Sequence, residues 1–256
     1  MNNNPIGVYA SGFGGLSVWR ELHRALPNES LLYLGDGKNC PYGSKSVEQI
    51  RELAENAVRE LIDRGAKLVV VACNTATAAA IAPLRSIFPD TPIVGLEPAI
   101  KPACLESKSR KVGVLATERS LKGEKFLTTL AKYGEGVEMI KSVGEGFVEA
   151  VEANKEDDPQ TKETVRKVVE PMIEQGVDII VLGCTHYPFL RHVIEEVVGD
   201  RKIRIIDSGE AVGKRVESLL DEFGLRASKD NDARLEFITY ASEEYRLRLM
   251  AKALER

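Results

Sequence analysis

Short, near-continuous apolar runs recur along the chain, at residues 6–9, 31–34, 68–72, 93–96, 112–116, 137–140, 179–182 and 203–206. Consecutive rather than alternating apolar positions mark strands buried on both faces of a parallel sheet. The stretches between them carry helical periodicity. Across 46–64, Val47, Ile50, Leu53, Ala54, Ala57 and Leu61 fall on one face, and Ser46 with Gln49 forms a capping box at the start. Val165, Val168, Val169, Met172 and Ile173 do the same across 161–175. A charged connection at 227–234 leads to a last strand at 235–240 and a helix at 243–254. Strands alternating with helices predict an α/β fold with mainly parallel sheet, flanked by helices and joined by right-handed crossovers.

The two halves echo one another. Ile6-Gly7-Val8-Tyr9-Ala10-Ser11 returns as Val112-Gly113-Val114-Leu115-Ala116-Thr117. At nearly the same offset, Val69-Val70-Val71-Ala72-Cys73-Asn74-Thr75 returns as Ile179-Ile180-Val181-Leu182-Gly183-Cys184-Thr185. Any two parallel strands share an apolar run, but not the matched Cys-Asn-Thr and Cys-Thr endings. A period this long points to a duplicated α/β unit rather than a solenoid. Two similar domains facing across a central cleft are therefore expected. The first spans residues 1–97 and regains the C-terminal segment 207–256; the second spans 98–206.

Composition narrows the function classes. A chain of 256 residues that is 43% hydrophobic can bury a sizeable core, and a formal charge of −4 lacks the basic face that nucleic acid requires. The longest unbroken apolar run, 68–73, is far short of the roughly 20 residues of a membrane helix. The opening residues have no basic stretch ahead of an apolar core, so a cytoplasmic protein is expected. Four scattered cysteines, none at CxxC spacing, and three histidines make neither a disulfide framework nor a zinc cage; no metal is expected.

In open parallel sheets, ligands bind at the carboxyl ends of strands. Cys73 and Cys184 both stand there, each expected immediately before a helix, whose N-terminus would favour a thiolate. Asn74-Thr75 and Thr185-His186 add donors on the same turns. Two acid/base groups of one type in matched positions suit a stereoinversion, in which a proton leaves one face of a carbon and another arrives on the opposite face. Cys40, in a turn-rich loop, and Cys104, in a predicted helix, read as packing thiols. Ser11-Gly12-Phe13-Gly14-Gly15 lacks both the GxGxxG order and a GK[ST] ending, which leaves a small-anion turn built from backbone N–H groups. Glu149 and Glu152 lie on a predicted helix whose ordinary reading is a solvated face.

Ser11-Gly12-x-Gly14-Gly15-Leu16, Gly35-Asp36, Pro41-Tyr42-Gly43, Ala72-Cys73-Asn74-Thr75-Ala76, Ala116-Thr117, Glu152, Gly183-Cys184-Thr185-His186-Tyr187-Pro188 and Ile206-Asp207-Ser208-Gly209 occur in one order from residue 6 to about 220. Together they resemble the glutamate racemases of the cofactor-independent aspartate/glutamate racemase superfamily. The resemblance implies no metal, no pyridoxal phosphate or other cofactor, and free L- and D-glutamate as substrates, the D-isomer going to peptidoglycan. A homodimer is the expected assembly, with no nucleic-acid or membrane partner. By the resemblance, Cys73 deprotonates the D-isomer and Cys184 the L-isomer, and His186 and Glu152 assist proton traffic near Cys184. Ala10, Ser11, Pro41, Tyr42, Gly43, Asn74, Thr75, Thr117, Thr185 and His186 would line the substrate. The residues alone leave open a racemase for another acidic amino acid, such as aspartate, or an amino-acid-binding regulatory homologue with little or no turnover. One departure stands out: the superfamily has Asp where this chain has Ala10. Ser120 and Phe126 also replace a common Thr and Tyr.

Overall fold

The structure, a computed structural model, describes residues 1–255. Its strands are β1 Ile6–Ala10, β2 Leu31–Gly35, β3 Leu68–Val71, β4 Ile93–Gly95, β5 Lys111–Ala116, β6 Glu138–Val143, β7 Ile179–Leu182, β8 Arg204–Ile206 and β9 Leu235–Thr239. The helices are α1 Leu16–Ala25, α2 Val47–Asp63, α3 Asn74–Ile87, α4 Ile100–Glu106, α5 Glu118–Lys122, α6 Glu124–Tyr133, α7 Phe147–Glu152, α8 Pro159–Glu174, α9 Arg191–Val198, α10 Gly209–Glu222 and α11 Glu243–Leu254. Short 3₁₀ turns at Phe13–Gly15 and Tyr187–Leu190 precede α1 and α9. The chain divides into two compact units, Met1–Leu96 with the chain from Gly209 onward, and Glu97–Ser208.

The first unit holds a five-stranded parallel sheet in the order β4-β3-β1-β2-β9. Every residue of β1, β2 and β3 is buried, as their unbroken apolar runs require. The apolar face of α2 (Ile50, Ala54, Ala57, Val58 and Leu61) joins Leu32, Leu34, Val69 and Val71 in one core. Its capping box forms as expected: Gln49 N–H donates to Ser46 Oγ, and Ser46 N–H donates to Gln49 Oε1. A buried ion pair ties distant segments together below the sheet. Lys67 Nζ lies 2.5 Å from Glu29 Oε2 and donates to the Asn2 carbonyl, while Glu29 Oε1 accepts from Ala227 N–H.

The second unit holds a four-stranded parallel sheet in the order β6-β5-β7-β8. Strand for strand this repeats β2-β1-β3-β4, so the sequence echo between the halves is an echo of topology. β6 departs from the expectation of a strand buried on both faces. Glu138 and Lys141 are exposed and only Ile140 is buried, because β6 lies at the sheet edge, where charged residues also discourage pairing with another chain. At the opposite end of β5 and β7 from the thiol turns, Asp178 accepts from Ser107 Oγ and from the N–H groups of Lys108 and Ser109. Burial alone would raise its pKa, but these hydrogen bonds outweigh that and hold it at about 2.

Candidate active site

Each unit presents one thiol at the carboxyl end of its sheet, and the two differ in what supports them. In the first unit Cys73 follows β3 and is the N-cap of α3, its Sγ accepting from Ala76 N–H at 3.4 Å. A cysteine at this position faces the positive end of a 14-residue helix, which favours the thiolate. Ser11 Oγ donates to the same sulfur from the end of β1, at 3.6 Å. Asn74 and Thr75 follow on the first turn, both buried, and Asn74 Oδ1 has no hydrogen-bond partner among the described residues. Such an acceptor suits a ligand donor, an ammonium above all.

Ser11 opens the turn read as an anion site, which passes through Phe13–Gly15 into α1. Gly15 is a steric requirement there: a Cβ on it would lie 2.3 Å from Ala10 Cβ and 2.7 Å from the Tyr33 hydroxyl. Ala10 is itself buried, and strand alternation sets its side chain on the sheet face away from Tyr9. The loop after β2 carries the next group. Tyr42 Oη donates to Asp36 Oδ2 at 2.6 Å and lies 2.7 Å from Tyr9 Oη, and Asn39 Nδ2 donates to both Asp36 oxygens. With Tyr42 donating to the carboxylate, the Tyr9 hydroxyl donates to Tyr42. Burial, opposed by the bond to Tyr42 and reinforced by Cys73 and Asp36, keeps the Tyr9 phenol well above its ordinary pKa, so it stays protonated. Burial, reinforced by Tyr9 and Asp36, does so for Tyr42. Tyr42 is thus a buried anchor, while Pro41 and Gly43 on either side are exposed. Asp36, fully buried at the end of β2, had no role assigned from sequence; the signal was its place directly after a buried strand.

In the second unit Cys184 follows β7, but no α-helix begins at it. Two residues intervene before the 3₁₀ turn Tyr187–Leu190, with Pro188 inside, and α9 starts only at Arg191. The expectation of a helix N-terminus at this thiol is therefore corrected, and a side chain takes its place. Cys184 Sγ lies 3.8 Å from His186 Nδ1, and His186 Nε2 lies 2.7 Å from Glu152 Oε1 at the end of α7. With Nε2–H donating to the carboxylate, Nδ1 carries the lone pair facing the thiol. Glu152 is thus half-buried and paired with His186 rather than part of a solvated face. Thr185 is buried beside it; Thr117, at the end of β5, caps α5 by accepting from Ser120 N–H and contacts Ser120 Oγ at 2.9 Å. Tyr187 stacks edge-on against Phe147, and burial together with the neighbouring Cys184 raises its phenol pKa. Cys104 is buried in α4, and burial pushes its thiol pKa up, as befits a packing residue.

Two strand-end thiols thus stand on topologically equivalent strands, β3 and β7, each with its own hydrogen-bonding neighbours. The sequence profile of the Asp/Glu/Hydantoin racemase family matches residues 6–216. The chain belongs to that family. A glutamate racemase of Ectopseudomonas mendocina is 46% identical over 229 residues, covering 90% of this chain and 87% of that relative. Among solved structures, Escherichia coli glutamate racemase in complex with L-glutamate and the activator UDP-MurNAc-ala is 30% identical with a TM-score of 0.86, over 98% of this chain and 95% of that one. Francisella tularensis glutamate racemase in complex with D-glutamate is 26% identical with a TM-score of 0.85, over 100% and 95%. Among the described residues, no helix is long and apolar enough to cross a membrane.

Proposed function

We propose that this chain is an enzyme that interconverts L- and D-glutamate by passing protons between the substrate α-carbon and two thiols, and so supplies D-glutamate for peptidoglycan. The observation that carries the reading is the pair of cysteines at the ends of β3 and β7, equivalent strands of a duplicated sheet. In the L-to-D direction the Cys184 thiolate takes the α-proton and the Cys73 thiol gives its own to the opposite face; in the reverse direction the roles exchange. His186 Nδ1, 3.8 Å from the sulfur, takes up the Cys184 proton in this reading, with Glu152 fixing the imidazole tautomer. Cys73 is supported by the α3 N-terminus and by Ser11. Asn74, Thr75 and the turn at Ser11 suit the α-amino and carboxylate groups of the substrate. The backbone N–H groups of the Tyr42–Gly43 turn do so as well, since the Tyr42 hydroxyl is committed to Asp36, as do Thr117 and Thr185 in the second unit. A cytoplasmic homodimer fits this role.

The test follows the α-proton in D₂O. Cys73→Ser and Cys184→Ser should each lose racemisation by several orders of magnitude, since a serine hydroxyl is a poor base near neutral pH, whereas Cys104→Ser should retain it. Near-normal racemisation by either of the first two variants would remove the two-thiol mechanism.

A further inference from the structure

The last helix touches both loops that bear the binding residues of the first unit. On α11, Tyr245, Arg248, Leu249 and Lys252 fall on one face at helical spacing, and Leu249 and Lys252 are buried. The Tyr245 ring packs on Phe13 with centroids 4.8 Å apart and planes tilted by 30°, and the Arg248 guanidinium lies 5.0 Å from the centre of the same ring. Phe13 sits in the middle of the anion turn, between Gly12 and Gly14. Tyr245 also lies directly over Gly37, where a Cβ would come 2.3, 2.4 and 2.7 Å from three of its ring carbons. Gly37 follows Asp36, whose carboxylate holds Tyr42 and Asn39. The helix is itself fixed to α1, where Arg20 donates to the Lys252 carbonyl and pairs with Glu255.

A turn with three glycines among five residues has little intrinsic stiffness, because glycine loses the most conformational freedom on ordering. Something must hold it in shape, and its one large side chain, Phe13, is where α11 takes hold. We infer that α11 backs the substrate-binding loops: the Tyr245 ring, with Arg248, clamps Phe13 and Gly37, and so sets the affinity of the first unit for its substrate. The inference rests on the glutamate reading, and Tyr245 is a positioning residue that acts through the loops.

The experiment compares Tyr245→Phe, Tyr245→Ala and Gly37→Ala in the full chain. It uses steady-state racemisation of both glutamate enantiomers and amide hydrogen exchange across residues 11–15 and 36–43. Tyr245→Phe keeps the ring and should match the parent. Tyr245→Ala should raise KM for both enantiomers by about 5- to 10-fold, the scale of one lost aromatic pair, with kcat changed less than about threefold. Exchange in both loops should quicken. Gly37→Ala, which drives a methyl into the ring, should raise KM in the same way, and adding Tyr245→Ala to it should cause little further loss. Unchanged KM and loop exchange in folded Tyr245→Ala would overturn the inference, as would Tyr245→Phe behaving like Tyr245→Ala. Should Tyr245→Ala fail to fold, Gly37→Ala decides by the same measurements. A parent that binds but does not racemise glutamate would defeat the functional reading alone, because loop exchange still reports the clamp.

Discussion

The two thiols have different neighbours, so in the proposed mechanism a variant beside either one should change which proton transfer limits the rate. Glu152 touches His186, and in the proposed mechanism it acts through the imidazole as a positioning residue for Cys184. Glu152→Gln can still accept from Nε2–H but no longer supports a positive imidazole, and kcat should fall by about 10-fold with KM nearly unchanged. Slower transfer at Cys184 makes abstraction from L-glutamate more rate-limiting. The primary isotope effect with α-deuterated L-glutamate should therefore rise while that with the D-isomer falls; a parallel change in both would place Glu152 outside the relay. Ala10 is the complementary case. Its methyl cannot carry a proton, and Ala10→Asp is expected to raise kcat/KM by about 10²- to 10⁴-fold, the worth of a positioned acid or base. Because the equilibrium constant between enantiomers is one, the gain must be equal in both directions. Unchanged rates in a folded variant that binds glutamate would show that the turn after β1 works without a carboxylate.

At the scale of elements, the connection from α4 to β5 is fastened to the start of β7 by one side chain. Asp178 accepts three hydrogen bonds from Ser107, Lys108 and Ser109. Its folded pKa of about 2 lies below the ordinary value of 3.8, so the carboxylate stabilises the fold above about pH 4, and that contribution drains away as pH falls from about 4 toward 2. Asp178→Asn should cost about 1.5–3 kcal/mol near neutral pH, the range for hydrogen bonds to a charged group. The Tm difference between parent and variant should narrow steadily below about pH 4. A difference that stays constant to pH 2 would assign the stabilisation to packing instead.

At the scale of the whole molecule, the first unit is assembled from two separated stretches of chain, and Glu29, buried and paired with Lys67 in the first stretch, accepts from Ala227 N–H of the second. Together Lys67 and Glu29 tie β3, the turn before β2, the N-terminal Asn2 and the returning segment at Ala227. Lys67→Met strands a buried carboxylate and should cost about 3–5 kcal/mol in chemical denaturation. Lys67→Met with Glu29→Leu removes both charges and should recover part of that loss. A double variant no more stable than Lys67→Met would mean that the hydrogen bond to Ala227, rather than the charge pair, holds the segments together.

The apolar runs by themselves determined the parallel α/β architecture, because a strand buried on both faces has no polar position to spare. The echo around Cys73 and Cys184 likewise determined the duplication, which the repeated strand order expresses in space. Neither could show that β6 is an edge, since edge position depends on what lies beside a strand and not on its own residues. The thiols were legible as residues, their supports only partly. Cys73 has a helix N-terminus because Asn74-Thr75-Ala76 can continue straight into helical turns, whereas Pro188 and a 3₁₀ turn separate Cys184 from α9. His186 sits two residues from its thiol, but Glu152 reaches it only through the folding of α7, and Asp36 reaches Tyr9 only through Tyr42. The Tyr245 contact with Phe13 and Gly37 spans most of the chain. Such contacts follow from the packing of elements far apart in sequence, where periodicity carries no information about the partner.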